Sequence, residues 1–128
     1  MKRLILFIFL TVIILTGYSF LVSEFSGLDI KITNETDLEL KNLKVKTLEG
    51  NDYPISSILP GESYSIEGYY YESQIDDALL LVYEDYNQNE HKEILLGYLG
   101  GVFSAEFDVR IRSVDKDGIL EIDVDIEF

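Results

Sequence analysis

The chain has 128 residues, 24 of them acidic and 10 basic, for a formal net charge of −14, with one histidine and no cysteine or tryptophan. That length holds one domain. The missing thiols exclude disulfides, thiolate metal sites, iron–sulfur clusters, cysteine nucleophiles and lipidation at cysteine. Residues 1–28 carry Lys2 and Arg3 against Glu24, so the remaining hundred residues hold 8 basic and 23 acidic side chains, net −15. A body so acidic is repelled by phosphates and anionic head groups, and no nucleic-acid partner is expected.

Lys2 and Arg3 precede Leu4 to Val22, a run of 19 residues without charge. As a helix the run reaches about 28 Å, close to the ~30 Å of a hydrocarbon core. The basic pair would stay on the cytoplasmic side and place the rest outside. A cleaved signal peptide gives the same destination, with Gly17-Tyr18-Ser19 as its small-x-small exit. The apolar continuation Phe20-Leu21-Val22 favours an anchor. The expected organisation is therefore residues 1–27 as signal peptide or transmembrane anchor and 28–128 as an extracytoplasmic domain. The protein would be a single-pass membrane protein with its C-terminal domain outside, or be secreted.

From Leu28 onward the apolar period is two, with turn residues every 8 to 12 positions, which predicts an all-β antiparallel sandwich of about seven strands. Leu28, Ile30 and Ile32 alternate up to a turn at Asn34-Glu35-Thr36-Asp37. Leu38 and Leu40 have the opposite parity to Leu43 and Val45, so a bulge is expected near Lys41-Asn42. Glu49-Gly50-Asn51-Asp52 is the next turn, and Pro54 and Pro60 restrict Tyr53 to Gly61 to an irregular or edge path. Ser63 to Tyr71 is a tyrosine-rich strand containing Gly68. Leu79-Leu80-Leu81-Val82 is apolar on both faces, marking a central strand.

Hairpin parity organises the last four strands as a meander, the alternative being that consecutive strands cross to the other sheet of the sandwich, which parity does not exclude. A turn at Asn87-Gln88-Asn89-Glu90 pairs Tyr83 with Ile94 and Leu81 with Leu96. Gly100-Gly101 pairs Tyr98 with Phe103, Leu96 with Ala105 and Ile94 with Phe107. A turn centred on Lys116-Asp117 pairs Ile111 with Ile122, Val109 with Val124 and Phe107 with Ile126.

Candidate chemistry is sparse. His91, at a turn, reads as a surface histidine; no G-x-S-x-G elbow is present, and no catalytic residues are expected. Asp76-Asp77 and Glu84-Asp85 read as solvated charges. The last hairpin sets Arg112 opposite Glu121 and Arg110 opposite Asp123, then Asp108 opposite Asp125 and Glu106 opposite Glu127. Like charges facing across strands are destabilising, and a hard cation such as Ca²⁺ is one way to relieve the patch Glu106, Asp108, Asp125 and Glu127; screening by salt is the other. Asp115-Lys116-Asp117-Gly118 matches part of a calcium loop, but Ser113 and Val124 stand where ligands belong, so it reads as a turn. Alternation sends Tyr69 and Tyr71 to the face opposite Tyr64, Ile66 and Tyr70, so one set is core and the other exposed. Tyr69 and Tyr71, if exposed, could anchor a glycan or protein, the alternative being that these tyrosines simply pack in an edge strand. Asn34-Glu35-Thr36 fits a glycosylation sequon.

Ile58-Leu59-Pro60-Gly61-Glu62-Ser63, His91-Lys92-Glu93 with Gly97-Tyr98, and Ser113 to Gly118, together with the basic and apolar head, resemble small uncharacterised exported proteins of Gram-positive bacteria with an Ig-like β-sandwich body. The resemblance covers most of residues 28–128 and implies an envelope location and no assigned activity. Such proteins are often lipidated at a cysteine, which this chain lacks. The expectation is a non-catalytic binding module at the cell envelope, its partner an envelope protein, a wall glycan or an exported toxin. The alternatives are a passive structural or shielding domain, a Ca²⁺-dependent surface domain, or a hydrolase.

Overall fold

The computed structural model describes residues 27–48, 50, 52–69, 77–99 and 104–128. The apolar head 4–22 with its basic flank, Tyr70 and Tyr71, Asp76, Gly100-Gly101 and Phe103 lie outside these residues. Among the described residues no helix is long and apolar enough to cross a membrane.

The period of two yields strands throughout. They are β1 (Gly27–Asn34), β2 (Lys44–Thr47), β3 (Tyr53–Pro54), β4 (Ser63–Tyr69), β5 (Leu79–Glu84), β6 (Glu90–Leu96), β7 (Ser104–Val114) and β8 (Leu120–Glu127). Two four-stranded sheets result, in the orders β4-β1-β7-β8 and β3-β2-β5-β6. Alternate residues of both sheets share one core: Leu28, Ile30 and Ile32 of β1 and Phe107, Val109 and Ile111 of β7 join Val45, Leu79, Leu81 and Leu95 of the other sheet. Burial of each such side chain stabilises by about 1.5–3 kcal/mol, so this shared row is the main reason the two sheets stay layered.

Two sequence-based expectations hold in detail. β5 is interior to its sheet and buried on both faces. The pairs Ile111–Ile122, Val109–Val124 and Phe107–Ile126 occur as expected.

Others are corrected. The bulge expected near Lys41-Asn42 does not form: the Leu40–Ile58 bridge and the Lys44–Pro54 pair keep one register, and a left-handed Asn42, φ 59°, lies between them. Strands number eight, and the sheets are not wholly antiparallel, because β1 runs parallel to β7 along its full length. The expected pairing of β6 with β7 does not form, because the two belong to different sheets. The β5–β6 register is also different, with Tyr83 opposite His91 and Leu80 opposite Ile94. Its loop is Tyr86-Asn87-Gln88, closed by Asp85 N–H donating to Asn89 O and Gln88 N–H donating to Asp85 O, both at 3.0 Å. Gln88 takes the left-handed conformation, φ 64°. A three-residue loop in place of the expected four, centred earlier, inverts parity; Ile94 then points outward, 62% exposed, and Leu95 is buried.

The Asp115 loop has the same build. Asp115 N–H donates to Ile119 O, Gly118 N–H donates to Asp115 O, and Gly118 is left-handed, φ 87°. In each loop the leading aspartate accepts from the N–H groups two and four residues on: Asn87 and Asn89 for Asp85, Asp117 and Ile119 for Asp115. The two turns meet, Tyr86 N–H donating to Asp117 O at 2.9 Å, and Leu120 N–H donates to the Tyr83 hydroxyl at 3.1 Å. One end of the sandwich is thereby bonded sheet to sheet.

Asn34 closes the chain on itself nearby. Its side chain is fully buried. Its Nδ2 donates to Leu38 O at 2.7 Å and Ile58 O at 2.9 Å, while its Oδ1 accepts from the Thr36 N–H and hydroxyl. In the folded chain both Asn34 amide hydrogens of the Asn34-Glu35-Thr36 sequon are thus committed to backbone carbonyls. Asp77 is likewise buried rather than solvated, its Oδ1 accepting from Leu48 and Ala78 N–H.

Two outcomes follow for equilibrium denaturation. A Cβ on Gly118 would lie 2.7 Å from Tyr86 N, whereas one on Gly61, φ 78°, would meet nothing within 4 Å. Gly118→Ala should therefore cost clearly more than Gly61→Ala, whose backbone strain alone is about 1 kcal/mol; equal costs would refute the turn-to-turn contact. Asn34→Ala removes four hydrogen bonds at once, leaving Leu38 O and Ile58 O one partner each and the Thr36 N–H without its acceptor, and should cost roughly 1–3 kcal/mol; a loss below about 0.5 kcal/mol, the size of an ordinary surface change, would refute the clamp.

Candidate functional site

The outward faces of β4, β1, β7 and β8 form a grid of polar side chains. Its rows follow from the pairing: Asp29–Glu106–Glu127, then Ser65–Lys31–Asp108–Asp125, then Ser63–Thr33–Arg110–Asp123. The four carboxylates expected to cluster, Glu106, Asp108, Asp125 and Glu127, do occupy adjacent rows, and Asp29 extends them. Sequence pattern could not supply Asp29, because it is brought in by the parallel β1–β7 pair, which no turn encodes. An open groove of about 650 Å³ runs over this end of the sheet, with Glu67 and Ser65 on its far wall.

The other end of the grid is neutralised. An extra residue, Arg112, bulges from β7, so that Ser113 rather than Arg112 stands opposite Glu121. Each arginine then reaches one row along: Arg110 to Asp125, and Arg112 to Asp123 and, at 3.6 Å, to Glu35. These partners hold the Arg112 guanidinium above its ordinary value, the Asp123 hydrogen bond contributing most. Asp29 is also engaged, accepting the Gly68 N–H at 2.9 Å. Among the described residues no group of three or more histidine, aspartate or glutamate side chains is arranged to hold a metal ion. Like charges on such a face cost roughly 0.2–1 kcal/mol per facing pair, which an exposed sheet tolerates.

The opposite outer face is balanced, its lysines standing beside Asp52, Glu84 and Glu90. Lys44 and Lys92 flank Val82, and Lys46 flanks Leu80. Asp52 pairs with Lys44 at 3.1 Å and with Lys46 at 3.6 Å. That contact lowers the Asp52 carboxyl and raises the Lys44 ammonium. The acidity of the domain is therefore one-sided.

Tyr69 is not on an exposed face. Two residues of β1 span three of β4 at Leu28–Tyr69 and Ile30–Ile66, so β4 bulges at Gly68, φ 65°, and Tyr69 turns inward with Tyr64 and Ile66. It packs edge-on to Tyr53 with ring centroids 6.2 Å apart, and burial raises its phenol. The exposed aromatics among the described residues are Tyr53, Tyr86, Tyr98 and Phe128; Tyr71 lies outside those residues.

His91 departs from the surface reading. It sits on β6, stacked on Tyr83 at 5.1 Å, with Nε2 2.9 Å from Asp85 Oδ2. The Asp85 side chain is only 7% exposed. The His91 contact, then the Asn89 and Asn87 N–H groups, hold the Asp85 carboxyl at about 2. The set joins histidine to carboxylate without an activated nucleophile among its contacts, and its geometry is that of a cap on the β5–β6 turn.

A carboxyl lowered on folding stabilises fully above its unfolded value of about 4, and that contribution is lost as pH falls through about 2. In acid unfolding monitored by circular dichroism, Asp85→Asn should be less stable than the parent at pH 6 and show a shallower loss of stability between about pH 4 and pH 2. Parallel pH curves for the two proteins would refute the capping role.

Comparison with protein-family models, with curated proteins and with solved structures found no match to the chain.

Proposed function

We propose that the chain is a non-catalytic binding module of the cell envelope. It is an Ig-like sandwich variant, held outside the membrane by the apolar segment 4–22 or released beyond it, and its partner is an envelope protein with a basic surface. The observation that carries this reading is the one-sided grid: Asp29, Glu67, Glu106, Asp108 and Glu127 share one groove with Lys31 as the cation within it. These residues lie on paired strands, and their outward side chains leave the shared core to the alternate positions. A dense single-sign field on a rigid sheet raises the encounter rate with an oppositely charged partner and repels similarly charged ones. The three cross-strand rows contain no aromatic platform on which a sugar would stack, which favours a protein over a glycan.

Export and binding can be tested together in a Gram-positive host expressing the full chain. External protease on intact cells should digest the domain. The envelope fraction should retain it at low salt and release it at high salt, and D108K/E127K should be retained several-fold less at an unchanged thermal midpoint. Protection from external protease would contradict export. Retention indifferent to D108K/E127K would contradict binding through this face.

A further inference from the structure

Four strands stand at sheet edges among the described residues: β3, β6, β4 and β8. Exposed edges invite pairing with other chains, and proteins blunt them with short strands, proline, bulges or inward charges. Three of these edges carry such devices. β3 has two residues, one of them Pro54. β4 bulges at Gly68. β6 bulges at Leu95 and sets Glu93 on the same side as the buried Leu81.

β8 has no proline, no bulge of its own and no inward charge; its protection is the charged outer row, which bars strands of like charge and not basic ones. It has eight residues in unbroken alternation, and the bulge in its pairing lies on β7, at Arg112. Leu120 is tied to Tyr83 of the other sheet, which leaves Glu121–Glu127 as the free length. Its core-facing row is also incompletely covered: Ile122, Val124 and Ile126 remain partly exposed, whereas the neighbouring row on β7, Ala105 to Ile111, is 0–3% exposed. β8 therefore offers backbone groups that no described strand pairs, an overhanging apolar row and an outer row that is wholly carboxylate: Glu121, Asp123, Asp125 and Glu127.

We infer that β8 accepts an extended segment of a partner protein as an added strand, one that alternates lysine or arginine with apolar side chains. Main-chain bonds to the free edge would supply affinity, and the alternating side chains would supply selectivity. Apolar residues of the added strand extend the half-covered row, and its basic residues meet the carboxylate row, in which Asp125 and Asp123 are shared with Arg110 and Arg112. A second copy of this chain is excluded as the occupant, because β8 against β8 sets carboxylate rows side by side. The same four charges that refuse self-pairing thus select a basic strand. This inference rests on the binding-module reading and names the chemistry of its partner.

The test uses the full chain in neutral detergent and a fluorescein-labelled eight-residue peptide alternating lysine and valine. Anisotropy should show saturable binding, and amide exchange should slow at least tenfold within Glu121–Glu127 while β3, β4 and β6 are unchanged. A peptide of the same sequence methylated at every backbone amide should bind at least tenfold more weakly. E121K/E127K should abolish the preference for this peptide over one alternating glutamate and valine. Equal binding of the methylated peptide, or binding without protection of β8, would overturn strand addition and leave the envelope-binding reading standing. No binding of the lysine–valine peptide would also overturn it, and the D108K/E127K retention assay then judges the broader reading independently.

Discussion

The register of β8 on β7 decides which side chains of the last strand face water, and one carboxylate starts it. Asp115 Oδ1 accepts two backbone N–H groups and forces a three-residue loop. Alone, that odd loop would shift the pairing by one and turn the carboxylates toward the core. The extra residue at Arg112 shifts it back, so Ile122, Val124 and Ile126 return inward and Glu121, Asp123, Asp125 and Glu127 outward. The bulge also frees Arg112 to bridge Asp123 and Glu35, which tempers the charge at that end and leaves the other end acidic. A turn, a bulge and an ion pair thus cooperate to build one polarised face.

The same turn locks the layers together. Gly118 brings the Asp115 loop against the Asp85 loop without a side chain between them, and the Asp117 carbonyl receives the Tyr86 N–H. Tyr83 adds a second inter-sheet bond through its hydroxyl while its ring carries His91. The one histidine of the chain is therefore spent on fixing a turn. With no disulfide available, these buried polar contacts, together with the Asn34 clamp and Asp77, give the core its fixed ends.

How far the sequence was legible depended on where parity was broken. Alternation identified β1, β7 and β8 and the pairs that bring Glu106, Asp108, Asp125 and Glu127 together, because in the last hairpin an odd loop and a bulge cancel. In β5–β6 nothing cancels the odd loop before Leu95, so Ile94 and Leu95 exchanged faces. The signal that was overlooked is the aspartate opening each loop: Asp85-x-Asn87-x-Asn89 repeats the plan of Asp115-x-Asp117-Gly118, with Gln88 hiding the left-handed position that Gly118 advertises. Tyr69 was misplaced by the bulge at Gly68 for the same reason. Asp29 joined the acidic groove through a parallel pairing, and Asn34 and Asp77 were buried by chain segments distant in sequence; no local pattern encodes either. The glycine pair at 100–101 suggests a hairpin, but β6 and β7 lie in different sheets.

Residue-resolved amide exchange along β8 in the unliganded full chain bears most directly on this account. Alternate amides from Glu121 to Glu127, bonded to β7, should exchange slowly, while those between them exchange at nearly solvent rates, tracing a free edge in the stated register. Uniform protection along β8 would show the edge already paired, and a phase inverted after Glu121 would show the carboxylate row turned inward; either result would contradict the account.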